Sequence, residues 1–408
     1  MKNIRDIREE KNLYFLLPED IRIQNFVDFT DTAIIICLYY ENDCQKYLNY
    51  VDRIPPEIPV YIVSSNERVY PFVSQYILNR PDKRIELIKK KNRGRDISAL
   101  LVACREIALR YEYICFAHDK KGKSYIPKVE HVQWLENLWG NTLGSSSYIA
   151  NVLHVLKTDK AIGLLTPPEP IGGVLTAWYD STWADDFELT RQLIEQLGLT
   201  CDLDKTKPSI TLGTFFWAKS AAIRKLLEKD WKYEDFDEEP LKDDGTISHA
   251  IERVFGYVAQ DAGYETGTVM CISYAQKLLS YSQKYFSFSY KLLKREYGIE
   301  NLETFYTWEE RIRAYCRSKE KIYLYGAGIV GKRWLHILES QGCKPDGFLV
   351  TDINSASGHT LEGIPIKRID EIDDIEVAAI IITVSKRFLP EIEQELHNRG
   401  IVEYMVLS

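Results

Sequence analysis

Along the first half of the chain, solid apolar runs alternate with stretches in which apolar residues return every three or four positions. Thr32–Tyr40 (TAIIICLYY), Pro59–Ser65 (PVYIVSS) and the shorter RIELIKK read as strands. The first is apolar throughout, which predicts burial on both faces of a parallel sheet. ENDCQKYLNYVDRI and PFVSQYILNR between them read as helices, and Ala161–Pro168 and Ile210–Lys219 as two further strands. Strands alternating with helices predict an α/β fold with helices on both sheet faces. From Ser280 to Lys319 the pattern turns helical and highly charged, as in a connector. At Lys321 a second alternation starts with KIYLYGAGIVGKRWLHILESQG and ends with FLPEIEQELHNRG. The expected organisation is a larger α/β domain over 1–280, a helical connector over 281–319, and a smaller Rossmann-like α/β domain over 320–408. No internal repeat or low-complexity segment is expected.

One stretch, Lys90 to Ser124, places two polar clusters around an oily middle. Ile97, Leu100, Leu101, Cys104, Ile107, Ala108 and Tyr111 mark one apolar helix face. Asp96 or Ser98 can cap its start, which leaves Asn92, Arg93, Gly94 and Arg95 in the turn before it. The backbone N–H groups of a helix start carry partial positive charge, and Arg95 adds a full one, so the turn suits a diphosphate. YEYICFA then reads as a buried strand whose carboxyl end delivers His118, Asp119, Lys120 and Lys121. Ligands of open α/β sheets bind beyond the carboxyl ends of the strands, where Tyr39 and Ser64 of the two earlier strands would join them. Each signal has a plainer reading: Asp96 as a cap, Lys89–Lys91 as a solvated face, Asp119 as a turn former. Their order and spacing favour a site.

A second constellation, EEPLKDDGTISHAIERVFGYV (Glu238–Val258), has an apolar face from Ile247 onward, so a helix should begin near Gly245 with Asp244 at its cap. His249 and Arg253 then share a stripe, with Glu252 beside them. The segment thus sets the acidic residues Glu239, Asp243 and Asp244 just ahead of a helix that carries His249, Glu252 and Arg253. Trp178, Trp183 and Trp217 suit a sugar-stacking wall, although core packing explains any one of them.

Composition narrows the classes. The chain has 408 residues, 45% of them apolar, and a formal net charge of −8, which argues against nucleic acid as partner. Eight cysteines without a C-x-x-C pair suggest neither a disulfide framework nor zinc. The charged start MKNIRDIREEKNLYF lacks a signal-peptide core, and no apolar run is long enough to span a membrane. The expected location is the cytoplasm, at the inner face of the cell membrane, with peripheral association.

The order of these motifs resembles GT-A-type glycosyltransferases, in which an N-x-G turn opens a helix and a following strand ends in D-x-D. Here the turn is Asn92-Arg93-Gly94, and the D-x-D position reads Ala117-His118-Asp119. More narrowly, NRGRDISALL, YEYICFAHDKKGK and EEPLKDDGTISHAIERVFGYVAQDAGY are similar to the rhamnan synthesis protein F family, as are IIICLYYEND and FFWAKSAAIRKL. The resemblance covers roughly residues 30–270. It implies a GT-A-like, Rossmann-like catalytic domain that transfers a deoxyhexose, typically rhamnose. It also implies a carboxylate at a helix start that takes the proton of the acceptor hydroxyl, with Asp244 the first candidate and Asp243 and Glu239 as rivals, and an acceptor side lined by His249, Glu252 and Arg253. The donor would be a dTDP-linked nucleotide-sugar, and the acceptor a growing polysaccharide or a lipid-linked glycan. Only one D-x-D carboxylate remains, so Asp119 is the sole candidate there for magnesium or manganese. Lys120, Lys121 and Arg95 could instead neutralise the leaving diphosphate directly.

In the last unit, Gly326, Gly328 and Gly331 follow a strand and open a helix, the context of a nucleotide loop, and Asp352 ends the next strand. The unit is similar to nucleotide-binding domains attached to polysaccharide-biosynthesis proteins. Without a nearby Tyr-x-x-x-Lys, a docking or regulatory module is favoured over a second redox enzyme. Two rival readings stand beside sugar transfer: an NAD-dependent nucleotide-sugar oxidoreductase or epimerase, and a non-catalytic scaffold of polysaccharide assembly. Tight NAD binding without sugar-nucleotide binding marks the first, and sugar-nucleotide binding without turnover the second.

Overall fold

The structure, a computed structural model, describes residues 13–121, 128–168, 183–201, 203, 211–242, 244–297, 302–340, 342–352, 358–372 and 375–407. The chain divides into two compact units, Met1–Tyr281 and Ser282–Ser408.

The first unit is built on one sheet of eight strands: β1 (Tyr14–Leu17), β2 (Thr32–Cys37), β3 (Val60–Ser64), β4 (Ile85–Lys89), β5 (Tyr113–His118), β6 (Ile162–Thr166), β7 (Phe216–Lys219) and β8 (Glu265–Cys271). Their order is β1-β8-β6-β7-β5-β2-β3-β4. The run β5-β2-β3-β4 is parallel, whereas β7 is antiparallel to both β5 and β6. Every residue of β2 is buried, as its unbroken apolar sequence requires. Alternate residues face opposite cores: Ile34 and Ile36 pack with Leu48, Val51 and Val73, while Ala33 and Ile35 pack with Ile97, Leu101 and Val254. Each such isoleucine contributes about 1.5–3 kcal/mol by leaving water.

Among the described residues, the helices of this unit are α1 (Cys44–Val51), α2 (Tyr70–Leu78), α3 (Arg95–Ser98), α4 (Arg105–Arg110), α5 (Lys128–Leu143), α6 (Ser146–Thr158), α7 (Phe187–Leu197), α8 (Arg224–Glu228) and α9 (Ile247–Asp261). The helix expected after Arg95 is not continuous. A π-helical turn, Ala99–Ala103, separates α3 from α4 and is closed by Cys104 N–H donating to the Ala99 carbonyl at 2.9 Å.

Helix α10 (Ile272–Tyr297) starts ahead of the expected Ser280 and is followed by α11 (Leu302–Arg317). It overturns the expectation of no internal repeat. Residues 273–279, 280–286 and 287–293 read SYAQKLL, SYSQKYF and SFSYKLL, one seven-residue pattern three times over. Among the described residues, no helix is long and apolar enough to cross a membrane.

In the second unit, β9 (Lys321–Tyr325), β10 (Gly347–Val350), β11 (Thr360–Leu361), β12 (Ile364–Arg368), β13 (Ala378–Ile382) and β14 (Met405–Val406) follow the order β11-β12-β10-β9-β13-β14. All pairs are parallel except β11–β12. Among the described residues, α11, α12 (Ile329–Ser340) and α13 (Leu389–Asn398) are helices of this unit. Leu324, Phe348 and Ile381 pack with α12 on one side of this sheet, and Tyr323, Ile380 and Ile382 with α13 on the other. The α/β class and the second, smaller sheet are as the sequence pattern led one to expect.

Candidate active site

The turn after β4 is held from several directions. Gly94 has φ 72° and Arg95 φ 42°, so two successive residues take the left-handed conformation. A Cβ on Gly94 would lie 2.6 Å from the Phe236 ring and 2.8 Å from Ser98 Cβ, so only glycine fits. Lys90, almost fully buried, donates its ammonium to the carbonyls of Lys91 (2.8 Å) and Arg93 (3.3 Å). Burial holds its pKa below the usual lysine range. Neither proposed side-chain cap of α3 is formed. Ser98 Oγ donates back to the Arg93 carbonyl at 2.5 Å, and Asp96 turns toward His118. Asn92 accepts from Ser65 Oγ at 3.1 Å, at the end of β3, while Ser64 is buried and its hydroxyl accepts from Asn66 N–H.

At the carboxyl end of β5, the two clusters expected to converge do meet: His118 Nε2 lies 3.5 Å from Asp96 Oδ2. His118 itself is buried, with Nδ1 2.7 Å from the Asp119 carbonyl and Nε2 2.5 Å from that of Gly213. Asp119 is buried too. Its Oδ2 accepts the N–H groups of both Tyr39 and Tyr40 at 2.7 Å, tying the segment after β2 to the end of β5. Burial pushes its carboxyl up to about 6, against the pull of those two amides and His118. This is an anchor. Around it among the described residues stand His118, already on two carbonyls, the Asp43 carboxylate, Lys120, over the Trp134 ring at 4.3 Å, and exposed Lys121. Magnesium or manganese needs more oxygen ligands than the one Asp119 carboxylate offers. Tyr39 remains exposed at this mouth.

The second constellation clasps the first. Arg93 Nε donates to the Phe236 carbonyl at 2.6 Å and Nη2 to that of Glu234 at 3.3 Å, while Nη1 pairs with Glu238 at 3.2 Å. Arg95 Nε pairs with Glu239 Oε1 at 3.2 Å, and Glu239 Oε2 accepts the Leu241 N–H. Both oxygens of Glu239 are therefore engaged, which counts against it as a base. Asp243 lies outside the described residues. Helix α9 starts at Ile247, later than Gly245, and its cap is Thr246 rather than Asp244. Thr246 Oγ1 lies 2.8 Å from His249 Nδ1.

Asp244 belongs instead to a carboxylate pair. Its Oδ2 accepts the Asp185 N–H at 3.2 Å, and it hydrogen-bonds with Asp186, which is fully buried. Burial drives the Asp186 carboxyl up to about 7 although Arg253 Nη2 stands 3.0 Å away. Ligand atoms of Asp186, Asp244 and His249 lie within 4.8 Å of one another, the grouping of metal-binding type found among the described residues. The Arg253 guanidinium already supplies the cation beside this pair. Glu252 Oε1 accepts the Gly213 N–H at 2.7 Å, and the Gly213 carbonyl meets His118. A polar chain thus runs from Asp96 through His118, Gly213, Glu252 and Arg253 to Asp186 and Asp244.

Asp186 was missed in the sequence. Its signal is the acidic pair Asp185-Asp186 just before the amphipathic α7. Trp183 packs against Phe187 and Tyr257, and Trp217 is buried with Nε1 on the Thr142 carbonyl, so neither forms a stacking wall. Trp178 lies outside the described residues.

In the second unit, Gly326 follows β9 with φ 125°, packed against Val384 and the Thr383 carbonyl. A Cβ on Gly331 would strike the Gly326 carbonyl oxygen, so that glycine serves close helix–strand packing. Gly328 is exposed with open space around it. Asp352 is exposed just past β10. Because β9 pairs with β10 on one side and β13 on the other, the loop sits where the sheet order reverses, the usual ligand crevice of such sheets.

A family model described as rhamnan synthesis protein F matches residues 1–264. "Uncharacterized protein WxcX" of Xanthomonas campestris pv. campestris, in strains B100 and ATCC 33913, is 25% identical over 229 residues. The match takes in 55% of this chain and 31% of the relative, so the chain spans under a third of the length of these curated relatives. Among solved structures, the mannosyltransferase PcManGT from Pyrobaculum calidifontis, in complex with GDP-Man and Mn2+, is 14% identical with a TM-score of 0.35. It covers 62% of this chain and 59% of its own, a likeness too slight to assign a function.

Proposed function

The chain belongs to the rhamnan synthesis protein F family, and from that membership we propose that it is a glycosyltransferase. The reading is inverting transfer of a deoxyhexose, rhamnose first, from a dTDP-linked donor to a polysaccharide or lipid-linked acceptor. The observation that supports it most is the clasp between Arg93–Arg95 and Glu234–Glu239. It joins a turn suited to a diphosphate to the segment that carries Asp244, at the mouth of the sheet.

In this reading the donor diphosphate meets the helix start at Gly94–Arg95, with Arg95 and Lys121 offsetting its charge as the sugar–phosphate bond breaks. Asp244 accepts the proton of the acceptor hydroxyl while that oxygen attacks the sugar carbon from the opposite face. His249, Glu252 and Arg253 hold Asp186, Asp244 and the Gly213 loop in place. No step is routed through a metal, although Asp186, Asp244 and His249 form a group of metal-binding type, because the Arg253 guanidinium already stands beside the buried Asp186 carboxylate. The Gly326–Gly331 loop would accept a nucleotide at Gly328, with Asp352 near the ribose, in a docking or regulatory role.

The test is turnover of a panel of nucleotide-sugars by the purified chain. Transfer from the dTDP-deoxyhexose is expected. Asp244→Asn should retain donor binding and lose turnover by about 10²–10⁴-fold, the usual contribution of a general base. Unchanged turnover in that variant would place the base elsewhere, and NAD binding with no sugar-nucleotide turnover would sink the transferase reading.

A further inference from the structure

Helix α10 is the longest helix among the described residues, and its side chains are exposed along most of it. Its three heptads set Tyr274, Leu278, Tyr281, Tyr285, Phe288 and Leu292 at alternating four- and three-residue steps, one continuous stripe. Leu279 and Phe286 form a second stripe, with small Ala275, Ser282 and Ser289 between the two. At about 100° per residue the combined apolar face covers half the helix. Leu279, Tyr281, Tyr285, Phe286 and Phe288 are each between 50% and 66% exposed, far more large apolar surface than a solvated helix needs. The opposite half carries Lys277, Lys284 and Lys291, one from each heptad in a single column, continued by Arg295 and flanked by the heptad serines. From Ile272 to Tyr297 there are five cations and one carboxylate, Glu296, in a chain whose net charge is −8.

A one-sided basic face opposite a tyrosine- and phenylalanine-rich face fits an interface between water and hydrocarbon that bears negative charge. A second copy of the helix fits less well. If the regular stripe were the seam of a coiled coil, all three lysines would occupy the same flanking position, opposite Ala275, Ser282 and Ser289 or one another. No carboxylate would be there to pair them. We propose that α10 is an interfacial helix that lies in the headgroup region of an anionic lipid bilayer, apolar face inward and lysine column toward the phosphates. It lies in the plane of the membrane, being too polar to cross it. The proposal rests on this helix alone and goes beyond the transferase reading.

The experiment is vesicle flotation of the full chain without donor or acceptor, so its outcome is independent of any transfer activity. Binding is expected to phosphatidylcholine vesicles that contain phosphatidylglycerol and not to phosphatidylcholine alone, and it should fall with added salt. Lys277→Gln/Lys284→Gln/Lys291→Gln should weaken it on the order of 100-fold, from roughly 1 kcal/mol per basic residue near such a surface. Phe286→Ser/Phe288→Ser should abolish it while circular dichroism stays unchanged. Equal binding to neutral vesicles, no binding to either, or unchanged binding of the triple variant overturns the proposal. So does a concentration-dependent dimer that Phe288→Ser dissolves, which would assign the face to a second copy.

Discussion

At the residue scale, Asp119 and Asp186 carry the same physics among different partners. Both are buried carboxylates whose pKa is raised first of all by burial, Asp119 to about 6 and Asp186 to about 7. In the unfolded chain each titrates near 3.9. Between about pH 4 and those folded values the native state therefore holds protons that the unfolded state has released, so stability falls as pH rises across the window. Each unit of displacement is about 1.4 kcal/mol. Asp119→Asn and Asp186→Asn should flatten the stability curve measured by urea unfolding from pH 4 to pH 7. The first keeps an acceptor for the Tyr39 and Tyr40 amides. Slopes identical to that of the unaltered protein would show that burial does not govern these groups. The sequence placed Asp119 just past the end of a buried strand, where it lies. It could not reveal that two backbone N–H groups 79 and 80 positions away consume its carboxylate.

At the element scale, the junction of β4, its turn and α3 was the most legible part of the site. The run Asn92–Arg95 around Gly94 signalled a turn, and the three- and four-residue spacing beyond it signalled a helix. What the spacing concealed is the π-helical turn at Ala99–Ala103, because one extra residue per turn barely alters an apolar stripe. The turn depends on glycine twice over, for its positive φ and for the Phe236 ring against it. Gly94→Ala should therefore cost about 2–4 kcal/mol, read as a lowered urea midpoint. A change below about 0.5 kcal/mol would mean that the ring and the turn yield easily. Helix α9 teaches the converse. Its apolar face predicted the element, yet its cap went to Thr246, which freed Asp244 to pair with Asp186.

At the scale of the whole molecule, two units each close their own cores around their own sheets. Calorimetry should resolve two unfolding transitions with enthalpies in a ratio of roughly two to one, since enthalpy scales with residues unfolded. Under the proposed function, dTDP should raise the transition of the larger unit, by about 2.7 kcal/mol of added stability at 100 times its dissociation constant. A single transition, or a shift confined to the smaller unit, would contradict this division of labour. The heptad repeat of α10 was in plain view in the sequence. Within Ser280–Lys319 the density of charge outweighs that repeat in composition, so the segment has the profile of a connector.

Local pattern by itself determined the α/β alternation, the second sheet, the glycine turn and the residues gathered at the strand ends. Those follow from short-range sterics and from the apolar period, which neighbouring residues alone specify. Which carboxylate stays available for chemistry was decided only when the chain folded. Engagement of Asp119 by Tyr39 and Tyr40, of Glu239 by Arg95, and of Asp186 by Arg253 arises between segments far apart in sequence. Charge and hydrogen-bond partners are consumed in space, and no spacing along the chain records that.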